Sequence, residues 1–219
     1  MAKLVWDNTG ERTFELGDKK VVLYVMGTTG KYDSGVVWNG VTAITESPSG
    51  AEANDLYADD IKYASLRSAE TFGGTIEAYT YPDEFAVCDG SAEIGKGVYI
   101  GQQQRKKFAL SYVTSIGSDT ETDYDKNYKI HLIYNATASP SEKSYQTIND
   151  SPDAISLSWE FDTTPVNVDG YKPTATITID STKADATKLK QLEDKLYGTA
   201  ETEPTIPSPD EVIAMFTTD

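Results

Sequence analysis

Apolar and polar residues alternate with period two in many short stretches of this chain, most regularly from Ile155 to Asp162. Ile155, Leu157, Trp159 and Phe161 share one phase, and the residues between them are Ser, Glu or Asp. Successive side chains of a strand point to opposite faces, so the pattern predicts a strand with an apolar inner face and a polar outer face. Similar patterns recur at roughly ten places, which predicts a mainly β fold.

A second informative stretch runs from Thr71 to Asp89, with the sequence TFGGTIEAYTYPDEFAVCD. Two glycines precede a strand with two distinct faces. One face carries Ile76, Ala78 and Thr80, and the other carries Thr75, Glu77, Tyr79 and Tyr81. Pro82 has no amide hydrogen for a ladder, so the strand is expected to end there and residues 83–87 to form a helical turn on the rim. The pattern is typical of a strand with one buried face and one solvent-exposed face.

One amphipathic helix is predicted from Thr182 to Tyr197. Leu189, Leu192 and Leu196 lie on one apolar stripe, and Gly198 supplies the left-handed stop. A helix of this length is marginal alone, so the stripe is expected to pack on a sheet. Residues 1–198 are therefore interpreted as one mainly β domain that includes this helix near its C-terminus.

Residues 199–219 contain Pro204, Pro207 and Pro209, which predicts an extended C-terminal arm. A final turn after Pro209 carries an apolar tip. The tip consists of Val212, Ile213, Met215 and Phe216. Such a tip either folds back on its own subunit or docks on a partner.

A polar segment, SPSGAEANDL, occupies residues 47–56 and is longer than most hairpin connections. It is predicted to be a loop, either slack or serving as an arm for a neighbouring molecule. Residues 57–67 are predicted to form a strand that Asp59 and Asp60 interrupt. Calcium loops need several oxygen ligands at spaced positions, so a solvated turn is favoured over a metal site for this acid pair.

The formal net charge is −16, with 35 acidic and 19 basic residues. This balance disfavours ordinary nucleic-acid binding, which depends on Lys and Arg neutralising phosphates. Solubility alone is a sufficient explanation of the excess of acids. A shared acidic surface is the more specific explanation. The single basic cluster, Gln102 to Lys107, is interpreted as a solvated loop or as a partner for acids of another subunit.

The sequence offers no recognisable catalytic, cofactor or metal site. His131 is the only histidine and has no nearby serine or cysteine to activate, so a half-buried strand residue is favoured. Cys88 is the only cysteine, which excludes an internal disulfide and fits a reducing cytosol. No stretch approaches the roughly 20 apolar residues of a membrane span. Glu77, Glu84 and Glu160 leave one rival interpretation, an acidic β-sandwich glycosidase or sugar-binding module.

Several longer strings carry a resemblance to a known family. These are VVWNGVTAITESPSGAE, LYADDIKY, GGTIEAYTYPDEFAVCDGS, NDSPDAISLSWEFDTTPV and IDSTKADATKLKQLEDKLYGT, together with PDEV at residues 209–212. They resemble the major tail tube proteins of long-tailed, non-contractile bacteriophages, in the expected order and over nearly the whole chain. The tube of a contractile tail, or of a phage-derived injection particle, is the close alternative.

The resemblance implies a structural virion protein without enzymatic activity or cofactor. It also implies a tail-tube-type β-sandwich or half-barrel fold with one helix on its flank near the C-terminus. Its copies would form hexameric rings that stack into a tail tube, assembled in the host cytoplasm. The implied partners are further copies of the chain and the tail terminator, tape measure and distal tail proteins. DNA would pass through a negatively lined channel during ejection without specific binding, and no membrane would be involved.

Three sets of candidate residues follow from that implied assembly. The ring-stacking loop candidates are Ser47, Pro48, Ser49, Gly50, Glu52 and Asp55. The candidate lumen acids are Asp59, Asp60 and Glu77. The candidate docking residues of the C-terminal arm are the four apolar residues of its tip, Val212, Ile213, Met215 and Phe216.

Overall fold

The structure is a computed structural model that describes residues 4–120, 126–145, 147 and 154–217. Its strands are β1 Thr13–Val25, β2 Val36–Val37, β3 Val41–Glu46, β4 Ser49–Gly50, β5 Ala53–Ala58, β6 Ile61–Arg67, β7 Glu70–Thr71, β8 Gly73–Ala78, β9 Ala92–Gly95, β10 Val98–Ile100, β11 Phe108–Ser118, β12 Asn127–Ala138, β13 Leu157–Thr163 and β14 Thr176–Asp180. The helices are α1 Ala186–Tyr197 and α2 Pro209–Thr217, and a 3-10 turn spans Asp83–Val87. Strands predominate, so the mainly β prediction is confirmed.

The main antiparallel sheet bends into two layers. The first layer has the order β2-β1-β11-β12-β14, and the second contains β13-β8-β3. Strand β12 belongs to both, because Lys129–Ile133 pair with β14 and Ala136–Ala138 pair with β13. Asn135 lies between these segments with φ of 50°, a backbone conformation that Asn tolerates better than most residues. It therefore marks the bend that turns one sheet into a sandwich.

A corner between β2 and β3 joins the two layers on the other side. The Trp38 amide donates to the Val21 carbonyl in the first layer at 2.9 Å. The Tyr79 amide, directly after β8, donates to the Gly40 carbonyl at 2.8 Å. Gly40 has φ of 78°, so a glycine suits the tight turn that separates these two bonds. The chain thus closes the sandwich with one short bent segment.

The core between the layers is built around an aromatic cluster. Trp38 lies 4.5 Å from Phe85 between ring centroids, and Phe85 lies 5.2 Å from Trp159. Phe108 and Phe161 extend the cluster along β11 and β13. Burying each such side chain contributes about 1.5–3 kcal/mol. The predicted helical turn forms at the predicted residues, but Phe85 is fully buried, so the turn plugs the sandwich instead of lying on its rim.

A second core lies on the outer face of the first layer. Leu189, Leu192 and Leu196 of α1 pack there with the apolar residues of β12. The helix begins at Ala186, four residues later than predicted, because the Asp185 side chain accepts the amides of its first turn. Residues 181–184 form turns around Asp180 instead. The predicted packing of the apolar stripe on a sheet is confirmed.

Three further sequence expectations need correction. The sequence predicts two strands, Thr13 to Leu16 and Lys20 to Met26, joined by Gly17 and Asp18. The structure has one bulged strand, Thr13–Val25, because positive φ at Gly17 and Lys20 lets the ladder continue past the polar stretch. Ile155 lies outside β13 and is exposed, although an inward position was expected. The C-terminal segment is not extended throughout, since residues 209–217 form α2.

Candidate assembly surfaces

An acidic surface covers the outer face of the second layer. Cross-strand partners share a face, and Ser158 pairs with Glu77 while Glu160 pairs with Thr75. Asp162 continues the same phase of β13. Glu77, Glu160 and Asp162 are all exposed, whereas the alternate residues Ile76, Ala78, Trp159 and Phe161 are buried. We call Glu77, Glu160 and Asp162 the acidic sheet face. The sequence singled out Glu77, and its cross-strand register brings the other two acids to the same surface.

The segment predicted as a loop is part of a long hairpin. Residues 47–72 continue the β3–β8 pair outward through β4–β7 and β5–β6, and we call them the arm hairpin. Ser49 and Gly50 pair with β7, and the hydroxyls of Ser49 and Thr71 lie 2.8 Å apart. Asp55 forms a 2.8 Å ion pair with Lys62. Hydrogen bonds with Lys62 and Ser65 lower the pKa of the Asp55 carboxyl. Ser47, Pro48 and Glu52 are exposed on the same arm.

The arm hairpin carries an apolar face that its own subunit leaves open. The register pairs Asn54 with Leu66, Leu56 with Ala64, and Ala58 with Ile61, so these six residues share one face. Leu56, Ile61 and Leu66 are 41%, 65% and 57% exposed. A hairpin of two strands is marginally stable alone, so an exposed apolar face of this kind is typical of a surface that another molecule covers.

Asp59 and Asp60 form the tip of the arm hairpin. They have φ of 51° and 60°, which corresponds to the two-residue turn that matches strand twist. The predicted interruption of a strand is therefore a reversal of the chain. From Ser47 to Ala58 the arm has a contour length of about 40 Å at roughly 3.3 Å per residue. The structure thus does not bring Asp59 and Asp60 together with Glu77, the third predicted lumen acid.

The base of the arm is fastened to the first layer by a polar cluster. The Tyr112 hydroxyl donates to Glu46 Oε1 at 2.5 Å, and Glu46 is the last residue of β3. His131 stacks on Tyr112 with ring centroids 4.7 Å apart, and its Nε2 lies 3.0 Å from Thr114 Oγ1. Burial lowers the pKa of His131, against the opposing effects of Glu46 and Glu15. His131 is a mostly buried strand residue, as expected from the sequence.

A second exposed hairpin starts from the opposite end of β8. The chain leaves β8 at Ala78, passes the 3-10 turn, and forms β9 and β10 before it returns to β11. The Gln103 amide donates to the Gly90 carbonyl at 2.9 Å, which closes the base of this excursion. Ile94, Val98 and Ile100 are 64%, 53% and 40% exposed. The sequence predicts a strand from Val98 to Gln102, which contains β10, but gives no sign of β9, whose four residues include only one large apolar side chain.

A basic cluster, Arg105, Lys106 and Lys107, lies beside that hairpin base. The Lys106 amide donates to the Val87 carbonyl at 3.1 Å. The Arg105 guanidinium lies over Gly90, where a Cβ would come within 3.3 Å of it. Arg105 Nη1 is buried and has no hydrogen-bond partner among the described residues. Lys107 Nζ donates to Thr164 Oγ1 at 3.3 Å.

The C-terminal segment folds back on its own subunit. The Gly35 amide donates to the Pro204 carbonyl at 2.8 Å, and the Tyr134 hydroxyl donates to the Pro207 carbonyl at 3.0 Å. Of the four predicted docking residues, Val212 is 3% exposed. Met215 and Phe216 pack on the same core, and Ile213 is half-buried. The apolar tip therefore packs on its own subunit, with Ile213, Met215 and Phe216 partly exposed, and docking of these three residues on a partner stays a prediction.

Residues 4–120, 126–145, 147 and 154–217 contain neither a clustered metal site nor a membrane-spanning helix. No group of three or more His, Cys, Asp or Glu residues in that part is arranged to hold a metal ion. No helix within it has the length and apolarity required to cross a membrane.

Comparisons with known proteins give a weak structural similarity. No protein-family model matches the chain, and no curated protein matches it. Among solved structures, it is similar to the sheath/tube terminator of an extracellular contractile injection system, PVC, in the extended state. That similarity covers 81% of this chain and 99% of the other, with 14% identity and a TM-score of 0.32. Values at this level establish neither a common fold nor a common function.

Proposed function

We propose that this protein is the structural subunit of a tail tube, in which copies stack head to tail around a channel for DNA. One observation carries the proposal: from the two opposite ends of β8 the chain runs into two hairpins that expose apolar residues. The arm hairpin continues from the β3–β8 pair at Gly73, and the β9–β10 hairpin starts beyond Ala78. Surfaces of several exposed apolar residues mark interaction sites.

Contacts between unlike ends of identical subunits generate an open assembly. If the arm hairpin of one copy covers the opposite end of the next copy, the contact is heterologous and does not close on itself along that direction. Ring closure uses lateral contacts, for which β14 offers an outer edge without a strand partner among the described residues. Joining sheets edge to edge removes exposed edges. We propose six copies per ring, as the sequence resemblance implies.

The acidic sheet face is assigned to the channel in this proposal. It is exposed, it lies between the two hairpin-bearing ends, and its outward positions in β8 and β13 carry three acids and no base. Six copies at −16 each carry −96 formal charges per ring. Like charges about 4 Å apart in water repel by about 1 kcal/mol, and salt screens the effect. The channel wall would therefore prevent DNA from adhering.

The proposed setting is the virion tail, with assembly in the host cytoplasm and with terminator, tape measure and distal tail proteins as partners. The tube of a contractile tail or injection particle is the alternative within the same class. The glycosidase alternative is less favoured, because a glycosidase general acid sits in an apolar pocket. Glu77 and Glu160 instead lie on an exposed sheet face, and Glu84 is exposed on the 3-10 turn.

Assembly of the purified chain tests this function. Negative-stain microscopy and sedimentation velocity over a concentration series should show rings or tubes. The triple variant Leu56→Ser/Ile61→Ser/Leu66→Ser should remain dissociated at concentrations where the unchanged chain assembles. The matched control, Tyr145→Ser, removes an exposed aromatic ring that lies outside both hairpins, and should assemble normally. A chain that stays monomeric at every concentration would refute the proposal.

The channel assignment has a separate test. Particles carrying Glu77→Lys/Glu160→Lys/Asp162→Lys should form tubes of normal length but release their genome more slowly, because DNA would adhere to a basic wall. The control Glu201→Lys/Glu203→Lys changes the charge of the C-terminal segment by +4, against +6 for the triple variant. Equal release rates in both variants would count against the assignment.

A further inference from the structure

We propose that residues 4–6 of one copy add as an extended strand to the open edge of β14 on the neighbouring copy in the ring, with Trp6 in the groove beside that edge. This inference rests on the proposed tube function and names a contact that closes each ring. It begins from two surfaces that the subunit leaves uncovered on different sides of its first layer.

The first of these surfaces is the apolar segment at residues 4–6. Leu4, Val5 and Trp6 are all large and apolar, and they are 65% to 75% exposed. None of the three forms a hydrogen bond with another described residue. An extended conformation places Leu4 and Trp6 on one side and Val5 on the other. Trp is enriched in the energetic centres of interfaces, so an uncovered Trp beside two apolar residues indicates a binding segment.

The base of this segment is fastened to the subunit. The Gly10 amide donates to Asp119 Oδ1 at 2.9 Å, and Arg12 Nη2 donates to the Asp7 carbonyl at 2.7 Å. Asp119 directly follows β11, so these bonds hold residues 7–12 against the end of the β1–β11 pair. The apolar segment therefore starts from a defined position on the first layer.

The second surface is the outer edge of β14 and the groove beside it. Among the described strands β14 pairs with β12 alone, so its other edge offers backbone groups to a further strand. A groove of about 390 Å³ lies between β14 and α2, within the size range of binding pockets. Its apolar lining includes Ile177, Ile179, Val212, Ile213 and Phe216. Strand addition combines backbone hydrogen bonds at an edge with pockets for alternate side chains, and this edge offers both.

Strand order places the two surfaces apart in one copy but suitably for a neighbour. β1 lies near one edge of the first layer and β14 forms the other, with β11 and β12 between them. Thr13 pairs with Ser118 and Asp180 pairs with Lys129, so the start of β1 and the end of β14 lie near the same end of the layer. The copy's own residues 4–6 do not line its groove. A contact between these unlike surfaces is heterologous and repeats around a ring.

Cross-linking between mixed copies tests the contact. One chain carries Leu4→Cys and a second carries Thr178→Cys, at an exposed β14 position that lines the groove, while the buried Cys88 is unchanged. After assembly of the mixture, a short bismaleimide should join the two chains, and neither variant alone should form a dimer. The control Gln191→Cys, exposed on α1, should not join to Leu4→Cys. A chain carrying both Leu4→Cys and Thr178→Cys should give a ladder of cross-linked copies. An internally linked monomer alone would place the segment in its own groove and overturn the proposal.

Tryptophan quenching gives an independent readout. Trp38 and Trp159 are buried, so Trp6 is the exposed one of the three tryptophans. Acrylamide should quench Trp6 in the dissociated chain but hardly at all in the tube, and subtracting the signal of Trp6→Phe isolates this component. Leu4→Ser/Trp6→Ser should raise the concentration needed for assembly about thirtyfold, equivalent to about 2 kcal/mol, with an unchanged thermal melt. The control Tyr145→Ser, which removes a similarly exposed ring, should have no such effect.

The outcomes separate this inference from the proposed function. If the unchanged chain forms tubes in which Trp6 stays open to acrylamide and no mixed cross-link forms, the contact is wrong and the tube function stands. Tubes in which Leu4→Cys joins Gln191→Cys instead of Thr178→Cys would assign the segment to another surface and also overturn the contact. A chain that stays monomeric at every concentration would overturn both.

Discussion

Replacing Gly74 with alanine should destabilise the subunit more than its small size suggests. A Cβ at this position would lie 2.3 Å from the Thr45 carbonyl oxygen and 2.8 Å from Cζ of Phe161. Ordinary contact begins at 3.4 Å. Gly74 is paired with Glu46 on one side and Phe161 on the other, at the point where the arm hairpin leaves the sandwich. Neither neighbour is a flexible side-chain end, so the ladder itself must move.

The magnitude follows from these contacts. Overpacking a well-packed site costs about 1–3 kcal/mol. Displacing β3 from β8 also weakens ladder hydrogen bonds, each of which contributes about 0.5–1.5 kcal/mol. We therefore expect Gly74→Ala to lower the free energy of unfolding by about 2–4 kcal/mol. In a domain of this size, that corresponds to a decrease in Tm of about 5–15 °C.

Urea unfolding followed by tryptophan fluorescence measures this effect, since Trp38 and Trp159 are buried beside the site. The matched control is Gly95→Ala in β9, where a Cβ meets nothing within 4 Å. Its midpoint should change little or rise. In a Phe161→Leu background the penalty of Gly74→Ala should shrink but persist, because the clash with the Thr45 carbonyl remains. Equal midpoints for Gly74→Ala and Gly95→Ala would refute the reasoning.

Three further predictions concern single side chains. Burial lowers the pKa of His131 below its ordinary value of 6.5, so the unfolded chain binds the proton more tightly; stability should fall as the pH is lowered through that value, and urea unfolding of His131→Gln should lack this component. Burial raises the pKa of Cys88 to about 12, so iodoacetamide at pH 8 should modify the native chain at least about a hundredfold more slowly than the unfolded chain, a ratio that mass spectrometry measures. Leu192→Ala should cost about 2–5 kcal/mol in urea unfolding because Leu192 is fully buried, whereas Leu66→Ala, on the exposed arm, should cost less than about 0.5 kcal/mol. Equal effects of the two leucine changes, a pH profile unaltered by His131→Gln, or rapid native alkylation would each contradict the corresponding explanation.

The sequence predicted the faces of the core strands because burial imposes period two on them. Trp159 and Phe161 point inward and Glu160 outward, as the alternation required, and the same holds for Ile76 and Glu77. A shift of one residue would exchange the two faces completely, so this property is strongly encoded. Strand pairing is harder to predict from the sequence, because the bend of β12 depends on contacts between segments that are distant along the chain. Asn135 lies at that bend, but its role can be identified only once β13 and β14 are known to pair with two different parts of β12.

The candidate site was harder to predict because it faces outward. Ile61, Ala64 and Leu66 do not follow one alternation in the sequence, because the register shift between Leu56 and Tyr57 leaves an extra residue in β6. They form one apolar face only when β5 and β6 are paired across the Asp59–Asp60 turn, which lacks the usual Asn-Gly signal. No core selects the pattern of such an arm, and in the proposed tube its pattern is selected by the neighbouring copy. A surface shaped by a second molecule is therefore the part of this fold that periodicity within one chain specifies least.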